Sequence, residues 1–440
     1  MLDIKDWIIW ALYFVSIMIV LLFFQSSKSS EVKRYYLFGF LIKVTGGLAF
    51  MMIYLFHYKG VGDTFLYFGG AKQLSQVILE SPVDYFRLLF SNAGQLPPDL
   101  SQYTNGIFYA GTSEEWFTVK LLSPFVLLSF QSYLVTTLFI STLSFYGAWK
   151  LFLVFHDILR GKAIFSFLAA FLIPSTIFWG SGIVKDTISL VCINMIIYAL
   201  YFGLSKRGKL KLVIVSLVWA YLVFRVKAYV LLSFLPSFFI IWNYFLLSKS
   251  KNKSVKFFLT PLLFLLIGAV SYFSFQNLTL QTEKYNQENL MKKLVGFHTW
   301  HTTIGESSYS LGEIEYTPTG IAKKIPSALF TTFFKPFLWE AKNPVILMSA
   351  IESFFLFIIF LFVSLKTRFQ YRKYLHPKFL RSLIVFVLLF GFIVGFTSYN
   401  YGALSRYKIP VMPIFVFILI FMIKSKSREK SKFKNELETV

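Results

Sequence analysis

Long apolar runs separated by short basic stretches set the pattern of this chain. A helix needs about 20 apolar residues to cross a bilayer core. Runs near that length fall at residues 7–24, 35–57, 131–155, 257–275, 344–365, 382–397 and 409–423, and residues 163–204 hold enough for two. Residues 212–247 are too long for one span and short for two, with Arg225 and Lys227 in the middle. Residues 120–130 are apolar but short, as in an interfacial or re-entrant helix. The pattern predicts an all-α, polytopic integral membrane protein of about 11 transmembrane helices.

Two long polar segments interrupt the runs, at residues 58–116 and 277–343. The short loops carry the basic residues, as at Lys206, Arg207, Lys209 and Lys211, and again between Lys366 and Arg381. Basic short loops mark the cytoplasmic side. The alternation predicts an outside N-terminus, a cytoplasmic C-terminus and two large external loops. It gives one transmembrane domain over residues 1–424 and a basic cytoplasmic tail over 425–440.

Composition changes the reading of the charge. The chain is 56% hydrophobic and 15% charged over 440 residues, with 54 Phe. Its net charge of +23 would point to nucleic acid in a soluble protein. Here the cationic loops account for it, and no nucleic-acid partner is expected. Cys192 is the single cysteine, which excludes a disulfide within the chain. The first seven residues carry two Asp and one Lys, the wrong sign for a secretory leader, so the first helix is expected to be retained. No Gly-rich phosphate loop or internal repeat is present, and no cofactor is expected.

The candidate chemistry lies near the external face. Charges at span ends are costly unless they line a polar cavity. Asp63 has two readings, a general base on a sugar hydroxyl or a helix N-cap. Arg225, Lys227, Arg406 and Lys408 have the chemistry of a phosphate clamp, against plain anchoring to lipid headgroups. Asp63, Arg225, Lys227 and Arg406 are expected to share one cavity. Lys185 and Asp186 are further candidates, with pairing in a turn as the simpler account. Glu352 lies inside a predicted span, where an acid needs a partner. His298 and His301 suit acid–base chemistry, against a plain surface loop carrying two histidines; a third metal ligand is missing, so no metal site is expected.

These residues carry a resemblance. Gly62-Asp63-Thr64-Phe65-Leu66-Tyr67 after an early span resembles the first external loop of GT-C-type glycosyltransferases. The segments from Pro174 to Asp186 and from Tyr401 to Pro410 resemble those of bacterial O-antigen and exopolysaccharide polymerase-like proteins. The resemblance in plan runs over the whole chain. It implies a multi-pass enzyme of the bacterial inner (plasma) membrane. The implied substrate is a polyprenyl-(di)phosphate-linked saccharide, met among membrane lipids at the outer face. Asp63 would be the base, and the cations would hold the phosphates. Two other functions meet the same composition: a transporter or flippase of lipid-linked saccharides, and a structural subunit of an envelope complex. A transporter calls for charges spread through the membrane depth and for pseudo-symmetric halves.

Overall fold

The computed structural model describes residues 3–206, 210–249, 307–315, 317–375 and 377–425. Among them the regular structure is helical, apart from one isolated β-bridge between Ser308 and Asn400. Seven helices are long and apolar enough to cross a membrane, and an eighth if one bent pair counts as a span. The span expected at residues 257–275, residues 277–306 of the loop expected at 277–343, and the tail from 426 lie outside the described residues.

In chain order the helices are α1 (Ile4–Ser26), α2 (Ser30–Met52), α3 (Asp63–Glu80), α4 (Pro82–Phe90), α5 (Ser101–Thr104), α6 (Ser113–Leu128) and α7 (Tyr133–Ile158). Then come α8 (Ala163–Phe171), α9 (Pro174–Phe178), α10 (Lys185–Leu200) and α11 (Leu210–Lys249). The last described stretch holds α12 (Pro318–Lys323), α13 (Ile325–Phe334), α14 (Pro344–Thr367), α15 (Tyr371–Tyr374), α16 (Lys378–Thr397), α17 (Tyr401–Tyr407) and α18 (Met412–Lys424).

The two spans expected within residues 163–204 are not both formed. One spanning helix, Lys185–Leu204, follows two short ones, α8 and α9. Pro174 explains the break, because the residue before a proline is driven out of helical geometry. The awkward run at 212–247 is resolved differently. α11 is 40 residues long, about 60 Å if straight and twice the hydrocarbon thickness. It breaks at Lys227, whose backbone is extended (φ −154°, ψ 84°). α17 and α18 meet at a 71° bend, where Pro410 removes a backbone donor.

The chain divides into two compact units. Unit 1 comprises Met1–Leu153, Thr176–Ile197 and Val215–Ala228. The loop expected at 58–116 is a folded helical module within it. α3 packs along α6 around Tyr67, Leu74, Trp116 and Val119, and Ile183 joins the same core. Gly62 starts this module at φ +136° with the Tyr54 ring against its Cα, so a side chain there would be both strained and crowded. Gly182 lies flat under the Phe50 ring, which fixes the turn before α10 against α2.

Unit 2 comprises Val154–Ser175, Tyr198–Ile214 and Tyr229–Val440. α13 lies close on α16, where Gly391 and Gly395 admit Phe333 and the Ala328 carbonyl. Thr332 Oγ1 donates to the Gly391 carbonyl at 2.7 Å. Phe333 stacks on Phe415 of α18 at 4.3 Å between centroids.

Candidate functional site

Unit 1 collects five of the expected residues. Asp63 opens α3, and the cap position belongs to Gly62, whose carbonyl takes the first helical N–H groups. The N-cap reading of Asp63 therefore gives way. Its carboxylate is half-buried and accepts the Tyr109 hydroxyl at 3.1 Å. Tyr109 stacks on Tyr67 of α3, so the hydroxyl that orients Asp63 is held by the module's own core. A carboxylate in the first turn is also favoured by the helix dipole.

Lys185 and Asp186 pair, as expected, but with distant elements. Lys185 Nζ lies 2.7 Å from Glu115 and 3.3 Å from Glu114, both in the first turn of α6. Asp186 is 1% exposed and accepts the ammonium of Lys227. An ion pair this buried holds only while both partners stay, because a lone charge there has lost its water. Lys227 is thus bound to a carboxylate at the break of α11.

Arg225 differs. It is half-buried and rests on the Phe117 ring of α6, 5.0 Å from the centroid. Among the described residues no carboxylate pairs with it. Lys120, one turn along α6 from Phe117, was not anticipated as a site residue. It donates to the Ser91 carbonyl at 2.6 Å and lies 5.8 Å from the Trp116 ring. Burial, with the nearby charge of Arg225 adding to it, pushes the Lys120 amine down to about 8.

Unit 2 holds Glu352, Arg406 and Lys408. Glu352 in α14 accepts the backbone N–H of Ser175 at 2.6 Å and its hydroxyl at 2.9 Å. Lys408, fully buried, lies 4.0 Å from Glu352 and donates to Ser353 at 3.5 Å. The acid inside a span has the partner it needs. Arg406 is half-buried and lies over the Tyr407 ring. Nearby in sequence, Glu340 accepts Tyr401 at 2.6 Å, Lys335 at 3.1 Å and the Phe337 N–H at 2.7 Å. Burial works to raise the Glu340 carboxyl, but those three donors outweigh it and hold the group below its usual range. His298 and His301 lie outside the described residues. Among the described residues no group of three His, Cys, Asp or Glu could hold a metal.

Glu114, Glu115, Lys120 and Tyr109 were missed. Glu114 and Glu115 are the only adjacent acids in residues 58–116, which was a usable signal. Lys120 opens the apolar run at residues 120–130 and so carried the same signal as the other candidates, a charge beside an apolar run.

The fold and these charges define the class: a helical protein with seven candidate membrane spans and buried ion pairs between its helices. No family model, curated protein or solved structure matches the chain.

Proposed function

We propose that this protein is a membrane glycosyltransferase or polysaccharide polymerase. Its substrate would be a polyprenyl-(di)phosphate-linked saccharide at the outer face of a bacterial inner membrane. One observation carries the reading: Arg225 is a half-buried guanidinium without a carboxylate partner among the described residues, in the same unit as the oriented carboxylate of Asp63. An arginine fork matches phosphate oxygens, and Lys185 and Lys227 have acids to balance them.

In this reading Asp63 takes the proton from an acceptor hydroxyl. The hydroxyl oxygen then bonds to the anomeric carbon of the donor. The bond from that carbon to the phosphate oxygen breaks, and its electron pair leaves on the lipid phosphate. Arg225 stabilises the charge that develops there. The fold of residues 58–116 supports the acceptor end, because a rigid module orients the base better than a loose loop. The test is a product assay on purified protein with a lipid-linked donor. Activity lost in Asp63→Asn and lowered by Arg225→Ala is the expected result. Wild-type product from both variants would overturn the reading.

A transporter of lipid-linked saccharides has one observation in its favour. Lys43, Lys227 and Glu352 are buried within candidate spans, so charged groups are not confined to span ends. Movement of a lipid-linked saccharide across vesicles without any glycosyl product would favour it.

A further inference from the structure

The contact between α6 and α11 gathers positive charge that no carboxylate among the described residues balances. Arg225 is seated on the face of Phe117, and Tyr221, one turn earlier on α11, meets the edge of the same ring at 6.2 Å. Phe117 therefore fixes where the guanidinium sits. Lys120 follows one turn along α6 and is 7% exposed. An ammonium has three donors, and among the described residues one of them is taken, by the Ser91 carbonyl. A guanidinium has five in a planar fork, and no acceptor among the described residues meets any of them.

The neighbouring acids do not relieve this. Glu114 and Glu115 lie on the same helix, but both are drawn to Lys185. Asp186 is held by Lys227. Two like charges brought together with donors to spare make a site for a multivalent anion. The ring faces of Trp116 and Phe117 shield it from water and strengthen the attraction.

We infer that Lys120 and Arg225 together form a binding site for a phosphate-bearing ligand. Arg225 engages two oxygens through its fork, and Lys120 supplies a point charge to another. Phosphate fits better than a carboxylate because it offers more oxygens and more charge to two separate cations. The site deepens the function proposed above by adding a second cation to the donor phosphate, and rests on that reading for the ligand's source. Lys120 belongs to the external module and Arg225 to a candidate span, so the ligand would cross-link the two elements.

The experiment measures binding without sugar transfer. The full-length protein in detergent is titrated calorimetrically with farnesyl diphosphate and, separately, with inorganic diphosphate, with acetate as a control. Saturable diphosphate binding is expected, weakened about 10–100-fold by Lys120→Gln and by Arg225→Gln, the range for losing a charged hydrogen bond. Gln at position 120 removes the charge while keeping an N–H donor on a side chain of similar shape. Lys120→Arg should retain binding, which separates loss of charge from misfolding. Unchanged affinity in Lys120→Gln, or equal competition by acetate, overturns the site. Tighter binding of the farnesyl compound identifies a lipid-borne phosphate. Equal binding of the two diphosphates supports the anion site and overturns the lipid-donor reading instead.

Discussion

Lys227 is the residue at which α11 leaves helical geometry, and its ammonium donates to Asp186 at the start of α10. The two facts belong together. A break inside a span exposes backbone groups that the bilayer cannot satisfy, so it persists only where protein surrounds it. Here the surrounding is a buried ion pair between two candidate spans. The neighbouring residue, Lys185, ties the same end of α10 to α6. Two consecutive residues thus hold three helices of unit 1 in register.

Breaking that pair from one side should be costly. Lys227→Met leaves Asp186 charged and buried, with an expected loss of about 3–5 kcal/mol. Asp186→Leu combined with Lys227→Met should recover a large part of it, because no lone charge remains. Unfolding in detergent, followed by heat or denaturant, checks this. Singles no worse than the double would count against the pair.

Under the proposed function, Asp63→Asn should lower glycosyl transfer by about 10²–10⁴-fold, the usual contribution of a general base. The protein should remain folded, since Gly62 and not Asp63 holds the cap position. A product assay beside a melting curve separates the two effects. An active Asp63→Asn enzyme would move the search for a base elsewhere.

The Lys120 amine loses its proton near pH 8, well below its ordinary 10.5. Between these values the unfolded chain holds a proton that the folded one has released. Stability should therefore rise with pH across that window. Anion binding should do the reverse, weakening as pH passes through 8. The groups facing the amine are Arg225 from α11, the Ser91 carbonyl and the Trp116 ring. Lys120→Arg should flatten both profiles, because arginine keeps its charge throughout. Calorimetric titrations at pH 7 and pH 9 provide the comparison.

Gly62→Ala should destabilise the start of α3. The new methyl would meet the Tyr54 ring at 2.6 Å with the backbone at a φ that side chains rarely adopt. The expected loss is about 1–3 kcal/mol, the range for a strained residue. Protease digestion should cut near residues 58–63 faster in the variant. Unaltered cleavage would mean that the turn relaxes without strain.

Topology can be read by labelling. Cys192 is buried, so cysteines placed at Ser101 and Ser308 report with little background. Both should react with a membrane-impermeant reagent in intact cells if both large loops face outward. Labelling at one position alone would mean an odd number of spans misplaced between them.

The spacing of apolar runs was enough to fix the class. Seven candidate spans stand where the sequence showed runs of sufficient length, because a helix that must cross hydrocarbon has to write its length into consecutive residues. The difficulty around Arg225 and Lys227 was also legible, since a mostly apolar run over 212–247 with two cations inside is too long for one span and short for two. The short helices at Ala163–Phe171 and Pro174–Phe178 were not, although Pro174 was in plain view. A single proline leaves hydropathy untouched while it ends a helix.

The candidate site divides in the same way. The sequence supplied the residues by type: Asp63, Lys185, Asp186, Arg225, Lys227, Glu352, Arg406 and Lys408 are all charges in or beside apolar runs. Which of them neutralise one another was decided only by the fold. Lys227 meets Asp186 across 41 positions, and Lys185 meets Glu115 across 70. Such separations carry no local periodicity, because charge pairing depends on a few ångströms of distance set by helix packing. Arg225 stands apart for the same reason. That no acid among the described residues meets it is a property of the helices around it, and the sequence records only that an arginine is there.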